Sequence, residues 1–425
     1  MLYNQYSREH RKGQEAMLIY EYKVDGTDKQ YAAIDDAIRI VQFIRNKCLR
    51  LWMDTWGISK NDLQCYCAQL AKEYPFATHL NSQARQTSAD RAWFAIDRFY
   101  ENCTNQKAGK KGYPQFQHDN RSVEYKQSGW KIEPDGNHIR FTDGCGIGRL
   151  RLVGNKKQKI ATFPTKHIKR VRLLKRADGY SVQFAVQTKR VVEHVWSGKQ
   201  VGIDVGLQSF LTDSQGHSVD NPRHYRKAEK KLKRLQRLVS RKPKKSANRK
   251  KARKHLAKAH LKVQRQREDF ARKQASTLVS SHDLIAYEHL QIPNMLKNHH
   301  LAKSIHDAGW SIFLSWVKYY GMLHAIPIIA VEPRYTSQDC SACGTRVKKT
   351  LSVRTHICPG CGMVLDRDQN AALNILAKAL DGTVGHTGTS EPLCSENAWG
   401  KKTTTALSEM NVQQVSLWNQ EPPAF

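Results

Sequence analysis

Apolar and polar residues alternate from Met17 to Val24 (MLIYEYKV), the period of a half-buried strand, and Asp25-Gly26 then marks a turn. From about Tyr31 to Cys103 the period lengthens to three and four. Ala33, Ala37, Ile40, Val41, Phe43, Ile44 and Leu49 define one helical face. Ala84, Ala89, Trp93, Ile96 and Phe99 define another across 81–99. A basic, glycine-containing linker, Lys107 to Gly112, ends this helical stretch. Short strand-like runs follow at 122–125, 138–141, 149–153, 168–174 and 180–186, with turn signals at Pro134-Asp135-Gly136 and Asp178-Gly179. With the strand at Met17 they predict one small β-barrel, 17–30 and 106–198, interrupted by a helical insert, 31–105. The leader, 1–16, lacks periodicity and is expected to be flexible, so the fold itself could start at Met17.

The second half has a different texture. VGIDVG at 201–206, SFLT at 209–212 and HSV at 217–219 predict a three-strand meander whose first strand is apolar except for Asp204. A carboxylate in a buried strand needs a metal or a partner. The alternative is a strand-end Asp satisfied by turn amides. Gly202 and Gly206 on either side would let other backbone, or a ligand, come close. Residues 222–281 read as a helical hairpin broken at Pro243, with Leu232, Leu235, Leu238 and Val239 on one helix and Ala252, Leu256, Ala259, Val263 and Phe270 on the other. LIAYE at 284–288 is a short apolar strand ending in Glu288, and 301–323 reads as one aromatic-rich helix. A buried strand is expected at 326–331. The tail, 381–425, is rich in Gly, Thr, Ser, Asn and Gln and is expected to be disordered.

Charge and cysteines add chemistry to this outline. Lys plus Arg number 70 against 38 Asp plus Glu, a net charge of +32, which points to a polyanionic partner, nucleic acid first. The surplus is densest at the hairpin turn, where Lys244, Lys245, Arg249, Lys250 and Lys251 are candidates for phosphate contact; otherwise the run is a solvated face. No apolar run approaches the ~18 residues of a membrane span, and no signal sequence opens the chain. Cys340, Cys343, Cys358 and Cys361 form two Cys-x-x-Cys pairs, each followed by glycine, the pattern of a structural zinc ribbon at 337–363. The linker between the pairs is short enough to suggest a ribbon hairpin. The other six cysteines are scattered, which fits a reducing, cytoplasmic compartment.

The order of these parts is a strand with Asp204, two strands, a helical insert, a strand with Glu288, a helix, a strand, a zinc ribbon, and an acidic pair, Asp366 and Asp368, at a helix start. That is the order of an RNase H-like nuclease fold, 199–336 and 364–380. Hard carboxylate oxygens suit Mg²⁺, and two such ions about 3.5–4 Å apart hydrolyse phosphodiesters.

Four stretches also carry a resemblance to a family: GIDVG at 202–206, YEHL at 287–290, Thr336-Ser337-Gln338 before the first cysteine pair, and RDQNAALNI at 367–375. They resemble TnpB (OrfB of insertion sequences), a family similar to the type V CRISPR effectors, over about Met17 to Leu380. The resemblance implies a multidomain α+β protein. Its RuvC-like nuclease domain uses Asp204, Glu288 and Asp368 as metal-binding catalytic acids, with Asp368 rather than Asp366 as the third. It also implies that the N-terminal barrel and its insert are wedge and recognition domains. The implied activity is RNA-guided cleavage of double-stranded DNA next to a short flanking motif, by a transposon-encoded enzyme acting as a monomer with its guide RNA in the prokaryotic cytosol or nucleoid. The family commonly has a basic residue where Gln117 stands. Two other roles would use the same parts: a DNA transposase with strand-transfer activity, or a non-cleaving RNA-guided DNA-binding regulator. The presence of all three acids favours cleavage.

Overall fold

A computed structural model describes residues 15–106, 109–154, 160–189, 194–350 and 353–384. The expected flexible leader and disordered tail therefore lie almost wholly outside the described residues. The chain divides into two compact units, Glu15–Thr188 and the part from Lys189 onward.

The first unit opens with β1 (Glu15–Asp25), followed by α1 (Asp28–Asp54), α2 (Lys60–Glu73) and α3 (Ser82–Thr104). Each helix starts at a side-chain cap. Thr27 with Gln30, and Ser59 with Asp62, form reciprocal capping boxes, and Asn81 accepts from the Gln83 amide. Six strands follow: β2 (Ser122–Tyr125), β3 (Trp130–Ile132), β4 (His138–Phe141), β5 (Arg149–Val153), β6 (Ile168–Arg176) and β7 (Gly179–Lys189). The sheet order is β2-β6-β7-β1-β5-β4-β3.

The expected small β-barrel is present as an open sheet. The sheet has two edges, β2 and β3, and residues 126–129 connect them directly. It is a half-barrel bridged by a short loop instead of a hydrogen-bond ladder. β3 is an addition, since three residues between Gly129 and Pro134 are too few to show a period. On β2, Glu124 is buried among Arg91, Arg170 and Arg172, which fastens α3 to the sheet edge. Burial pushes this carboxyl up, but the three guanidiniums, Arg172 foremost, outweigh it and hold Glu124 below the usual range.

The second unit is built on a five-stranded sheet, β10-β9-β8-β11-β12. Its strands are β8 (Gln200–Asp204), β9 (Ser209–Asp213), β10 (Ser218–Asp220), β11 (Leu284–Glu288) and β12 (Ile328–Val331). β8, β11 and β12 are parallel, and the other pairings are antiparallel. Between β10 and β11 run α4 (His224–Ser240) and α5 (Ala247–Ser281), the hairpin that turns at Pro243. Leu238, expected in its seam, is exposed, and Leu261 is buried there. Between β11 and β12 lie α6 (Ile292–Met295), α7 (His299–Ala308) and α8 (Trp310–His324). The single helix expected over 301–323 is broken at Gly309, whose φ of 72° ends one helix and starts the next. The chain closes with β13 (Thr355–Ile357), β14 (Val364–Asp366) and α9 (Arg367–Val384). Among the described residues no helix is long and apolar enough to cross a membrane.

Strand pleating sorts the core into two faces. Val201, Ile203, Ile285 and Tyr287 pack with Phe210, Ala275 and Phe313 on the α5 and α8 side. Leu284 and Ala286 pack with Ile375 and Ala379 of α9 on the other. By the same alternation Gly202, Asp204 and Glu288 belong to the α9 side. A β-carbon on Gly202 would stand 2.1 Å from the Ala372 carbonyl oxygen and 2.8 Å from the Leu376 nitrogen, so helix backbone lies directly on strand backbone there. Replacing Gly202 with Ala should therefore destabilise the protein by about 1–3 kcal/mol and lower its melting temperature by several degrees, as thermal unfolding would record.

Candidate active site

β8 and β11 end together. Gly202 pairs with Ala286 and Ile203 with Tyr287, so the next rung sets Asp204 beside Glu288 at the carboxyl ends of adjacent parallel strands. Those ends are where open α/β sheets place ligands. Asp368 sits in the first turn of α9, the helix laid across Gly202.

Asp366 and Asp368 have different surroundings. The Asp366 carboxylate accepts from the amides of Asp368 (2.9 Å) and Gln369 (3.1 Å) and so caps α9. Asp368 lies close enough to Asp204 for its charge to act there. Burial raises the Asp204 carboxyl well above its ordinary range, and the charges of Glu288 and then Asp368 raise it further, with Arg367 offsetting part. Burial also raises Glu288, against the opposing hydrogen bond from Thr336 and the charge of Lys378. Arg367 reaches Asp368 Oδ1 through Nε (3.0 Å) and Nη2 (2.9 Å), and Arg354 lies 3.6 Å from Oδ2. With Asp368 held this way, the three carboxylates are electrostatic neighbours, but their oxygens do not all lie within 4.8 Å of one another.

The donor set fits a hard divalent cation. All the atoms offered are carboxylate oxygens, and two of the carboxyls are pushed up by burial, a cost that a bound cation would relieve.

The four cysteines do gather, with every sulfur within 4.8 Å of the others. Cys343 and Cys358 are 3.5 Å apart, and Cys340 and Cys361 are 3.7 Å apart. Tetrahedral zinc with Zn–S bonds of about 2.3 Å needs sulfurs about 3.8 Å apart, so the residues fit that ion and leave no position open for water. The two knuckles are built alike. Gly344 (φ 75°) and Gly362 (φ 74°) turn left-handed, and their amides donate to Cys340 and Cys358 carbonyls, each at 2.9 Å. The hairpin expected in the linker lies instead around the second knuckle, as β13 paired with β14.

Of the hairpin-turn cations, Lys244, Lys245, Lys250 and Lys251 are exposed. Arg249 differs: its Nη1 donates to the Val239 (3.0 Å) and Lys242 (2.8 Å) carbonyls and closes the end of α4. Sequence reasoning gave no role to Thr336, Asn370 or Asn374, which bind the ribbon, Glu288 and α9 together. Two asparagines four apart, either side of the apolar run Ala371 to Leu373, were the available signal.

Family models match the chain in two blocks. Residues 182–299 match OrfB_IS605, described as "Probable transposase", and residues 310–375 match the TNB domain of Cas12f1-like proteins. The first block contains Asp204 and Glu288; the second contains all four cysteines and Asp368. A TnpB-like protein of Acanthamoeba polyphaga mimivirus is 28% identical over 197 residues, 42% of this chain and 37% of its own length. Over these blocks the chain is similar to the TnpB-like proteins. A Streptomyces pristinaespiralis protein, provisionally named an RNA-guided DNA endonuclease, is 42% identical over 182 residues, 42% of this chain and 45% of that protein. InsQ of Escherichia coli K12, provisionally named likewise, is 28% identical over 300 residues, 66% of this chain and 71% of that protein. The match thus spans less than half of the Streptomyces relative. In fold, the chain is similar to a Cas12f1–sgRNA–target DNA complex (TM-score 0.50, 14% identity, 82% of this chain and 81% of that one). It is also similar to the mini-RNA-guided endonuclease CRISPR-Cas_phi3 (TM-score 0.51, 10% identity, 89% and 94%).

Asp204 provides a test of the electrostatics. Its folded-state pKa is raised, so folding loses stability as pH rises from the unfolded value of about 4 towards the folded one. In metal-free buffer Asp204→Asn should melt higher than the wild type at pH 8, and the gap should close as pH falls towards about 4.

Proposed function

We propose that this protein is an RNA-guided, Mg²⁺-dependent endonuclease that cuts double-stranded DNA beside a short flanking motif, and that a transposon encodes it. The observation that carries the reading is the convergence of Asp204 and Glu288 from adjacent strand ends with Asp368 from the helix laid over them. In this reading the second unit is an RNase H-like (RuvC-like) nuclease domain. Asp204, Glu288 and Asp368 hold two Mg²⁺ ions, and Cys340, Cys343, Cys358 and Cys361 hold a structural zinc. Bound there, the cations would supply water activation and stabilisation of the leaving oxygen of the phosphodiester. The chain's own part is to aim three carboxylates at one place, and to keep that place next to a chain of +32 net charge that attracts the polyanionic strand.

Guidance by RNA is supported by the names of the relatives and by how basic residues are distributed along the sequence. Direct reading of base edges needs a compact helix or ribbon presenting Arg, Asn or Gln to a groove. Here basic charge is spread along the chain, suited to gripping a heteroduplex by its backbone while base pairing reads the sequence. The half-barrel and its helices serve as wedge and recognition domains, and the active form is a monomer with its RNA in the cytoplasm. The family description also names a transposase, for which the same acids would serve.

Purified protein with its co-purifying RNA should cleave a matched duplex in Mg²⁺. Alanine at Asp204, Glu288 or Asp368 should abolish cleavage while leaving DNA binding within about threefold, because each removes a metal ligand and not a phosphate contact. Asp366→Ala should be milder. Joining of a donor end to target DNA in the same reactions would favour the transposase.

The hairpin is tested separately. Changing Lys244, Lys245, Lys250 and Lys251 together to Gln should weaken binding irrespective of sequence. It should also flatten the salt dependence by roughly 0.7–0.9 log unit for each phosphate that is no longer neutralised. An unchanged slope would make the run a solvated face.

A further inference from the structure

Thr336 makes contacts that reach past its own loop. The residue is 2% exposed, and its hydroxyl donates to Glu288 Oε1. The Pro333 carbonyl is also near, at 3.2 Å. A hydroxyl has one proton to give, and a carboxylate is the stronger acceptor. The carbonyl of Thr336 in turn accepts from Asn374 Nδ2 at 2.8 Å, and that same amide donates to the Asp339 carbonyl at 2.7 Å. One turn earlier on α9, Asn370 is fully buried. It donates to the Asp339 carbonyl at 2.8 Å and accepts from the Ser341 amide at 3.0 Å.

These bonds form a closed brace. Asn370 holds the backbone on both sides of Cys340, the first cysteine of the ribbon. Asn374 holds the loop that leads to it. Thr336, in that loop, holds Glu288. Both asparagines belong to the helix that carries Asp368, two residues before Asn370. Glu288 is otherwise a three-torsion side chain at a strand end, free to lose its aim, and a ligand carboxylate is effective only when its second partner fixes it.

We propose that Thr336 is a positioning residue for Glu288, and that Asn370 and Asn374 join the first cysteine knuckle to the same brace, so that the ribbon sets where Glu288 stands relative to Asp368. The inference rests on the nuclease reading above. It gives the ribbon a purpose beyond its own fold: the four-cysteine module anchors the loop that aims one acid while being anchored by the helix that carries another.

The test is a Thr336 series in full-length protein with its RNA and its zinc retained. Thr336→Val keeps the shape and removes the hydroxyl; Thr336→Ser keeps the hydroxyl. Mg²⁺ binding is measured by calorimetry, and cleavage is measured at saturating Mg²⁺. Thr336→Val should weaken Mg²⁺ binding and slow cleavage by roughly 10–100-fold, at unchanged zinc content, and Thr336→Ser should restore both to within about threefold of wild type. If the Val variant loses zinc, Thr336→Ala, which cannot clash, replaces it with the same expectation. Wild-type Mg²⁺ binding and rate in the hydroxyl-free variant, or a Ser variant as impaired as Val, would overturn the role of Thr336. Wild-type Mg²⁺ binding in Asn374→Ala would remove the ribbon from the brace. A wild-type protein that neither bound Mg²⁺ nor cut DNA would instead overturn the nuclease reading, so the two failures are distinguishable.

Discussion

The Ala372 carbonyl oxygen lies 2.1 Å from where a β-carbon would stand on Gly202, and the geometry of the second unit depends on that contact. Only a residue without a side chain lets α9 lie on the middle of β8. From there, pleating does the rest. Asp204, two residues along, must face the helix, and Glu288 on the neighbouring strand faces the same way. Asp368 enters from the helix's first turn. Three acids far apart in the sequence meet because one strand has no side chain at one position.

Bringing carboxylates together out of water is unfavourable, and the molecule shows how the opposition is managed. Asp204, the deepest, has its carboxyl pushed up by burial and by its two neighbours. Asp368 is held by the guanidiniums of Arg367 and Arg354, and Glu288 by the hydroxyl of Thr336 and the charge of Lys378. Asp368 and Glu288 therefore each have a counterweight whose hydrogen bonds also fix an orientation, while Asp204 has its penalty offset only in part, by the charge of Arg367. Preorganisation and electrostatic relief come from the same contacts. The half-barrel unit treats charge differently: Glu124, ringed by three arginines, is held down instead of up and fastens a helix to a sheet edge.

The alternating run at 17–24 and the apolar strands at 201–204 and 284–288 were legible because their turns are marked by Gly and Asp and their periods are short. The cysteine pairs were legible because few other arrangements use that spacing. Less visible was anything that depended on a distant partner. Gly309 breaks a helix whose apolar rhythm continues across it, so the break could not be seen in the pattern. β3 is too short to have a rhythm, and the open edges of the sheet are a property of pairing, which sequence period does not encode. Arg249 reads like its basic neighbours, yet it closes a helix end. The separation of Asp366 from Asp368 rests on which one meets the helix amides, and the braces made by Thr336, Asn370 and Asn374 join residues 29 to 48 positions apart.

The central claim is that Asp204, Glu288 and Asp368 form one divalent-cation site beside a separate four-cysteine zinc site. Anomalous diffraction from crystals of the protein grown with Mn²⁺ tests it most directly. The account predicts manganese peaks shared by Asp204, Glu288 and Asp368, with Asp366 still capping its helix, and a zinc peak among Cys340, Cys343, Cys358 and Cys361. Manganese absent from the three acids, or bound by Asp366 in place of Asp368, would contradict it.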